Sequence, residues 1–592
     1  MASNAGEKSH KIKMMEEQLA KKLTRQVVGS LVGCVHCGMC NECCHYVLSH
    51  PDDPKMTPSY KADQLRKLFK RSHDWTGSVF PWWVGADTAP LTDDDLEKLK
   101  DISFGTCTNC RRCTINCPMG VDTATLNRMM RGLLSHVGVM PEGVRVVSKD
   151  QWEIGNQMGV LKEDYLDTIE WMSEELGEEL GHDKAAIPID KAGAKITYVI
   201  NPREVKYDPR TIKKAALIFY AAGEDWTMAS QGWDQTNFGL FSGDDNLGGA
   251  CGKRVYEKVA ELGSERLVIS ECGHGFRSTR HEAVNWSGHP VEFVMESSVI
   301  TMLRYIREGK IKVDKSRNKE PVTYHDSCNL ARSCGIYEEP RELLSLVVED
   351  FREMTPNRTE NFCCTGGGGA MSMSEYTPRR LVTGTIKAKQ IADTGATIVA
   401  TSCHNCVDGL SDVIKHYKLG CRVEQLVDLV ANALVLDETE RARAEEAAEK
   451  VVAAVTRAAE GLPLAGRKVL VVDDEDDVRE FLATVFTDAG ATVITAAGGD
   501  EALAKARAEK PDLISLDLSM PHKDGVETFY ELRQTAETED IPVCIVTGHP
   551  EFREVVYERP VPPPEGYLEK PVDESKLVAY ATHIIEAHGR KH

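Results

Sequence analysis

The chain contains no apolar run approaching the roughly eighteen residues that a membrane-spanning helix requires, so no bilayer span is expected. Its first residues, MASNAGEKSHKIKMMEEQ, have neither the apolar core of a signal peptide nor a twin arginine, which sets the expectation of a cytoplasmic protein. Positive charge is also short. The 71 Lys and Arg stand against 92 Asp and Glu, a net charge of −21, whereas binding phosphate backbones needs clustered cations, so no nucleic-acid partner is expected. The glycine run Gly366 to Gly369 is not followed by Gly-Lys-Ser/Thr, and no flavin or nucleotide fingerprint occurs elsewhere. At 592 residues the chain is too long for one core, and roughly three or four domains are expected.

What is abundant is cysteine. Nineteen cysteines in a chain held in a reducing compartment are poor disulfide candidates, and they fall in tight runs, as metal ligands do. Cys34-x2-Cys37-x2-Cys40-x3-Cys44 and Cys107-x2-Cys110-x2-Cys113-x3-Cys117-Pro118 repeat one pattern. Three thiolates at this spacing wrap a loop around one cubane [4Fe–4S] cluster, while the fourth reaches the other cluster, as in bacterial two-cluster ferredoxins. The expected sets are Cys34, Cys37, Cys40 with Cys117, and Cys107, Cys110, Cys113 with Cys44. A zinc site would need only four thiolates in a looser geometry. The first copy has His45 where proline is usual, and Cys43 competes with Cys44 for the fourth position, although spacing favours Cys44.

Along the chain, residues 10–28 predict an amphipathic helix, LTDDDLEKLKD an acidic one, and residues 122–180 mostly helix. From about residue 195 short strands and helices alternate, with KITYVI, KAALIFYA, RLVISECG, VTYHDSC and TIVATSCHNC as strand candidates. The expected division is 1–150 (two cubanes), 151–194 (helical connector), 195–435 (tandem α/β domain), 436–465 (charged Ala-rich linker) and 466–592 (a fresh βα series). The fold class is thus multidomain, α+β and α/β.

Within the tandem region stand YHDSC (Cys328), NFCCTGGGG (Cys363, Cys364) and TSCHNC (Cys403, Cys406). This layout resembles the CCG domain of heterodisulfide reductase subunits. The resemblance implies that these five cysteines hold a noncubane [4Fe–4S] cluster that binds and splits disulfides. Strand ends of an open α/β sheet form a ligand crevice, and glycines let backbone approach closely. Five cysteines exceed what a structural zinc or another cubane needs; Cys334 is left unassigned. The upstream half, 195–310, keeps the strand–helix pattern but only Cys251 and Cys272, too few for a second cluster. Cys272 and His274 follow a strand end and are candidates for the same crevice, with His274 as a proton donor, Arg277 as a contact for an acidic substrate tail and a structural role for Cys272 as the alternative.

The C-terminal motifs RKVLVVDDEDD, ISLDLSMPHKDG, CIVTG and GYLEKP resemble the flavodoxin-like receiver domain of response regulators. The resemblance implies Mg²⁺ held by Asp473, Asp474 and Asp517, phosphorylation at Asp517, phosphoryl contacts from Thr547 and Lys570, and an aromatic switch at Tyr567. Pro560, Pro562, Pro563 and Pro564 fall where the fourth helix of that fold belongs, which suggests a fixed docking surface.

Over about residues 25–435 the whole is similar to D-type heterodisulfide reductase subunits, and to the cytoplasmic catalytic subunits of the Dsr, Tmc and Hmc membrane redox complexes. That similarity implies a membrane cytochrome b-type or other redox partner, a peripheral position on the inner face of the membrane, and a thiol, disulfide or sulfur-carrier protein as substrate. A histidine kinase is the partner implied by the receiver. Three other readings are an electron relay without substrate, a redox-linked signalling protein, and a dehydrogenase subunit that needs a separate flavin partner.

Overall fold

The computed structural model describes residues 2–86, 91–181, 186–436, 463–520, 523–548, 561–570, 572 and 574–589. It divides into two compact units, Met1–Glu446 and Ala447–His592.

The N-terminal part of the first unit is helical. Ala2–Lys22 is followed by Arg25–Val32, which begins where Thr24 Oγ1 accepts from the Val27 amide. The expected helix at 10–28 is therefore two helices, divided at that cap. LTDDDLEKLKD forms the helix Asp93–Gly105, fixed by a capping box between Thr92 and Asp95. With Pro58–His73 and Thr123–His136 it closes a core of Leu19, Leu31, Leu65, Phe104, Met130 and Leu133. Phe238, Leu240 and Phe241, more than a hundred residues further along, pack into this same core.

The remainder of the unit holds two small parallel sheets and one short ribbon. Strands β1 (Ile196–Val199), β2 (Trp226–Met228), β3 (Arg266–Ile269) and β4 (Val294–Ser297) form the first sheet in the order β2-β1-β3-β4. Strand β5 (Lys312–Val313) pairs antiparallel with a later strand, β9. Strands β6 (Val322–His325), β7 (Ile398–Thr401) and β8 (Arg422–Gln425) form the second sheet in the order β6-β7-β8, and β9 is Leu434–Val435. The two sheets repeat one plan. The first strand of each, β1 or β6, pairs in parallel with the strand that ends at a cysteine loop, β3 or β7. Phe351 bridges Val322 in parallel, as β2 pairs with β1. One hydrophobic core, with Tyr198, Val268, Tyr324, Ala400 and Leu429, runs under both.

KAALIFYA is not a strand. It lies in the helix Arg210–Ala221, which buries Ile212, Ala215, Ala216 and Phe219. Burial is unbroken from Ala215 to Phe219, so the seven apolar residues after Lys214 read alone suit either period.

The second unit is a doubly wound sheet: β10 (Lys468–Val472), β11 (Thr492–Ala496), β12 (Leu513–Leu516), β13 (Val543–Thr547) and β14 (Gly566–Glu569), all parallel, in the order β11-β10-β12-β13-β14. Helices Asp476–Asp488, Gly499–Glu509, Gly525–Gln534 and Glu574–Gly589 accompany it. Pro560 and most of the linker at 436–465 lie outside the described residues, while Pro562 to Pro564 are described and are not helical.

Candidate functional site

Two cavities in the helical part are lined by cysteines. One is walled by Cys34, Cys37, Cys40 and Cys117, the other by Cys44, Cys107, Cys110 and Cys113. Cys43 lines neither; its buried thiol donates to the Cys40 carbonyl at 3.2 Å. Backbone amides already point at the sulfurs, from Val121 to Cys117 (3.4 Å) and from Asn109 to Cys107 (3.3 Å). Amide donors aimed at thiolates are a usual feature of iron–sulfur sites, and these donor sets fit cubane clusters. Cys37 is exposed, so the first cavity reaches the surface.

The second cavity adjoins another sulfur set. Cys328, Cys363, Cys364, Cys403 and Cys406 are all buried. Cys328 lies three residues beyond β6 and Cys403 two beyond β7, whereas Cys363 and Cys364 come from a loop with no strand directly before them, a departure from strand-end placement. Cys110 and Cys328 hydrogen-bond to Cys363, and Cys363 and Cys406 to Cys364. Cys272 and Cys406 bond in turn to Cys403. Hydrogen bonding within the set holds Cys363, Cys364 and Cys403 well below the usual thiol range. Five buried thiols from three segments fit a bulky sulfur-ligated cluster, and six make an unbroken series from the cubane loop to the upstream half.

Four of these cysteines pack into an apolar core with Met354, Ile391, Val399 and Leu410, and polar side chains approach the set as well. Thr108 Oγ1 stands 3.3 Å from Cys363 Sγ. His45, next to Cys44, is buried against Cys110 and Cys363; burial works against its charge, but those sulfurs outweigh it and lift the imidazole to about 9. Lys387 is 1% exposed, and burial pushes its amine down to about 7. Its Nζ donates to Asn361 Oδ1 at 2.6 Å. A ring nitrogen of His325 lies within 4.8 Å of both Cys364 Sγ and Cys406 Sγ.

The glycines serve the chain's own approach. A Cβ on Gly368, which has φ of +66°, would fall 2.6 Å from the Thr108 carbonyl carbon, and one on Gly366 would fall 2.2 Å from the Asn405 oxygen. What they admit is the cubane loop and the Cys403–Cys406 turn.

On the upstream side, Cys272 meets Cys403, and His274 Nδ1 lies 3.2 Å from Cys272 Sγ. Burial pushes His274 down to about 4, so it is a neutral imidazole at working pH and not a group titrating there. Arg277 is 7% exposed and committed to Glu282 (2.7 Å) and Asn329 (3.2 Å), which leaves no free guanidinium for a substrate tail. Cys251 is a buried thiol 3.5 Å from Gln151 Oε1, away from the set. Where this half lacks ligands, Glu204 Oε1 accepts from His404 Nε2 (2.8 Å) and Ser270 Oγ (2.5 Å).

In the receiver unit, carboxylate oxygens of Asp473, Asp474 and Asp517 lie within 4.8 Å of one another. Lys570 Nζ donates to Asp473 Oδ2 (2.7 Å) and Asp517 Oδ2 (2.6 Å), and Thr547 closes β13 beside them. Burial raises Asp473 above the usual carboxylate range against the pull of Lys570. A hard divalent cation fits such a carboxylate set.

Sequence reasoning did not find Thr108, Lys387 or the contact from Cys110 to Cys363. His45 carried the only prior signal, as a departure from the usual proline.

The chain matches three families: a 4Fe-4S dicluster domain at residues 30–121, a cysteine-rich domain at 322–410, and a response regulator receiver domain at 469–582. Fold, sulfur sets and these matches make the chain similar to heterodisulfide-reductase-like iron–sulfur oxidoreductase subunits, with a receiver domain at residues 469–582. It is 29% identical over 454 residues to the Hdr-like menaquinol oxidoreductase iron-sulfur subunit 2 of Archaeoglobus fulgidus, covering 68% of this chain and 79% of that one. It is 26% identical over 419 residues to a subunit of the dihydromethanophenazine:CoB–CoM heterodisulfide reductase of Methanosarcina barkeri, covering 70% of this chain and 97% of that one. It is also 24% identical over 417 residues to the EtfAB:quinone oxidoreductase of Syntrophomonas wolfei, covering 65% and 55% respectively.

Proposed function

We propose that the chain is the disulfide-active subunit of a membrane-associated redox complex, peripheral on the cytoplasmic face through cytochrome b-type or other redox subunits. Cys34, Cys37, Cys40 with Cys117 and Cys107, Cys110, Cys113 with Cys44 hold two cubane [4Fe–4S] clusters, and Cys328, Cys363, Cys364, Cys403 and Cys406 hold a noncubane one. When bound, these groups supply one-electron transfer and, at the five-cysteine set, a place where an S–S bond of a thiol disulfide or sulfur-carrier trisulfide is cleaved or formed. The observation that carries this reading is the contact of Cys110 with Cys363, which joins an electron-carrying set to a cysteine-rich one without an intervening domain boundary.

The chain's own residues define what such a site permits. Thr108 donates to or accepts from Cys363, and the His45 ring lies buried between the second cubane set and the five cysteines. His274, held neutral, offers a hydrogen bond beside Cys272 and carries no proton of its own to give by titration. Cys272 adds a buried thiol beside Cys403.

In the receiver unit Asp517 is the phosphoacceptor, Asp473, Asp474 and Asp517 bind Mg²⁺, Thr547 and Lys570 engage the phosphoryl group, and a histidine kinase is the donor. Its output acts on assembly or electron flow.

The test is electron paramagnetic resonance of the anaerobically purified chain with and without a thiol, alongside reduction of a small disulfide or trisulfide. A thiol-dependent signal that disappears when Cys363 and Cys364 are replaced by Ala supports the reading. A second reading, a relay without substrate that serves a quinone partner, is favoured by the burial of the five cysteines, none more than 8% exposed. Unchanged spectra with thiol and no disulfide turnover select it.

A further inference from the structure

A chain of three buried polar residues leads from the outer side of the second sheet to the five-cysteine set. Lys387, on the helix Thr385–Thr394, Asn361, before the Cys363–Cys364 pair, and His325, at the end of β6, are each 1% exposed. Lys387 Nζ donates to Asn361 Oδ1 at 2.6 Å and to the Met354 sulfur at 3.7 Å, which turns Oδ1 of that amide towards the lysine. The amide NH2 must then face the other way, where Nδ2 meets His325 Nδ1 at 3.2 Å and the Asp326 carbonyl at 3.3 Å. Nδ1 of His325 is thereby an acceptor. With Nδ1 accepting from the amide, the ring proton resides on Nε2. A ring nitrogen of this histidine is within 4.8 Å of the Cys364 and Cys406 sulfurs, and with Nδ1 taken by Asn361 the donor left for them is Nε2–H.

The geometry points to a directed relay of orientation: Lys387 and Asn361 are positioning residues that lock the His325 tautomer, and His325 Nε2–H is a hydrogen-bond donor to sulfur at the Cys364–Cys406 side of the noncubane cluster. This rests on the cluster reading given above. Partners beyond the ligand shell orient and tune a metal site, and a hydrogen bond to its sulfur stabilises the more electron-rich state. The donor therefore raises the reduction potential of this cluster relative to the two cubanes. The lysine donor at the far end favours this orientation, whereas an amide facing an apolar group is free to turn.

The experiment uses the anaerobically purified full chain with ¹⁵N-labelled histidine. Pulsed electron paramagnetic resonance of the thiol-dependent signal is expected to show one weak histidine nitrogen coupling, of the size carried through a hydrogen bond. His325→Phe should lose that coupling and move the midpoint of the signal to more negative potential, with iron content unchanged. Lys387→Met should shift the midpoint in the same direction, and Lys387→Arg, which keeps a donor-only cation, should largely restore it. No histidine coupling in the labelled wild type overturns the inference whether or not the variants load iron. A coupling large enough for direct iron ligation also overturns it, since His325 would then be a ligand. Equal midpoints in wild type, His325→Phe and Lys387→Met at full iron content overturn it while leaving the cluster reading intact. Iron near the content of two cubanes in the wild type instead removes the cluster reading itself.

Discussion

Arg131 Nη1 donates to the Gly368 carbonyl at 2.7 Å, across 237 residues of sequence. The same guanidinium, with no exposed surface, also serves the carbonyls of Ser103, Cys107 and Phe241 and lies 4.6 Å from the centre of the Phe104 ring. One side chain thus ties the second cubane loop, the upstream half-domain and the glycine run into one body. Breaking a buried charged group's network costs about 3–5 kcal/mol, because its partners stay buried without donors. Arg131→Met is expected to lose about that much stability and the second cubane with it, as measured by denaturant unfolding and iron content. Arg131→Lys, which retains the charge but not the fork, should fall between.

Exchange of ligands between the two cubane sets gives a second expectation. Cys117 lines the cavity of Cys34, Cys37 and Cys40, so Cys117→Ala should alter the spectrum of that cluster and leave the one beside Cys107 and Cys110. Selective loss of the latter signal would show that the sets are not crossed.

Asp234 supplies a pH dependence. It is buried, accepts from the amides of Thr236 (2.6 Å) and Gln157 (3.0 Å) and from Gln151 Nε2 (3.1 Å), and burial still raises it from 3.8 to about 6. Below 3.8 the group is protonated in both folded and unfolded chains and carries no penalty. Between 3.8 and about 6 the folded chain holds the extra proton, so stability falls as pH rises through that window. The shift corresponds to about 3 kcal/mol, at roughly 1.36 kcal/mol per unit. Asp234→Asn should remove this slope, whatever its effect on absolute stability. Unfolding free energies of both proteins at pH 4, 5, 6 and 7 check it, and parallel profiles would refute it.

Phosphate chemistry at Asp517 is the fourth expectation. With Mg²⁺ and beryllofluoride or a small phosphodonor, the wild type should form an adduct that Asp517→Asn does not, and Lys570→Ala should weaken it by breaking the contact to Asp517 Oδ2. Turnover and partner binding should change with the adduct. An adduct that changes neither would make the site chemically live but without output.

Most of this architecture was legible in residue patterns. Cysteine runs at fixed spacing mark loops whose function is to present sulfur, and the receiver motifs sit at the ends of β10, β12 and β13 because only strand ends expose side chains to a crevice. KAALIFYA was not legible, because seven apolar residues after Lys214 suit a buried strand as well as a helix, and the first turn of Arg210–Ala221 before it decides the matter. Nor were Thr108, Lys387 and Asn361. An isolated threonine, lysine or asparagine carries no periodic or motif signal, and each becomes informative only when distant segments meet: Thr108 reaches Cys363 across 255 residues. Arg277 shows the reverse, a residue that looks available in sequence and is consumed by Glu282 in the fold.

The reach of Arg131 also bears on biosynthesis. A ribosome delivers residues 34–117, with all eight cysteines of the two cubane sets, long before Phe241 and Gly368 exist. Until those carbonyls arrive, the guanidinium beside Cys107 has half its acceptors missing, although every residue that lines the cavity of the second set is already made. A gene cut between the helical part and the α/β sheets would thus leave the cysteines of the second set together and strip Arg131 of its Phe241 and Gly368 acceptors, so the loss expected is one of stability in the loop that carries Cys107.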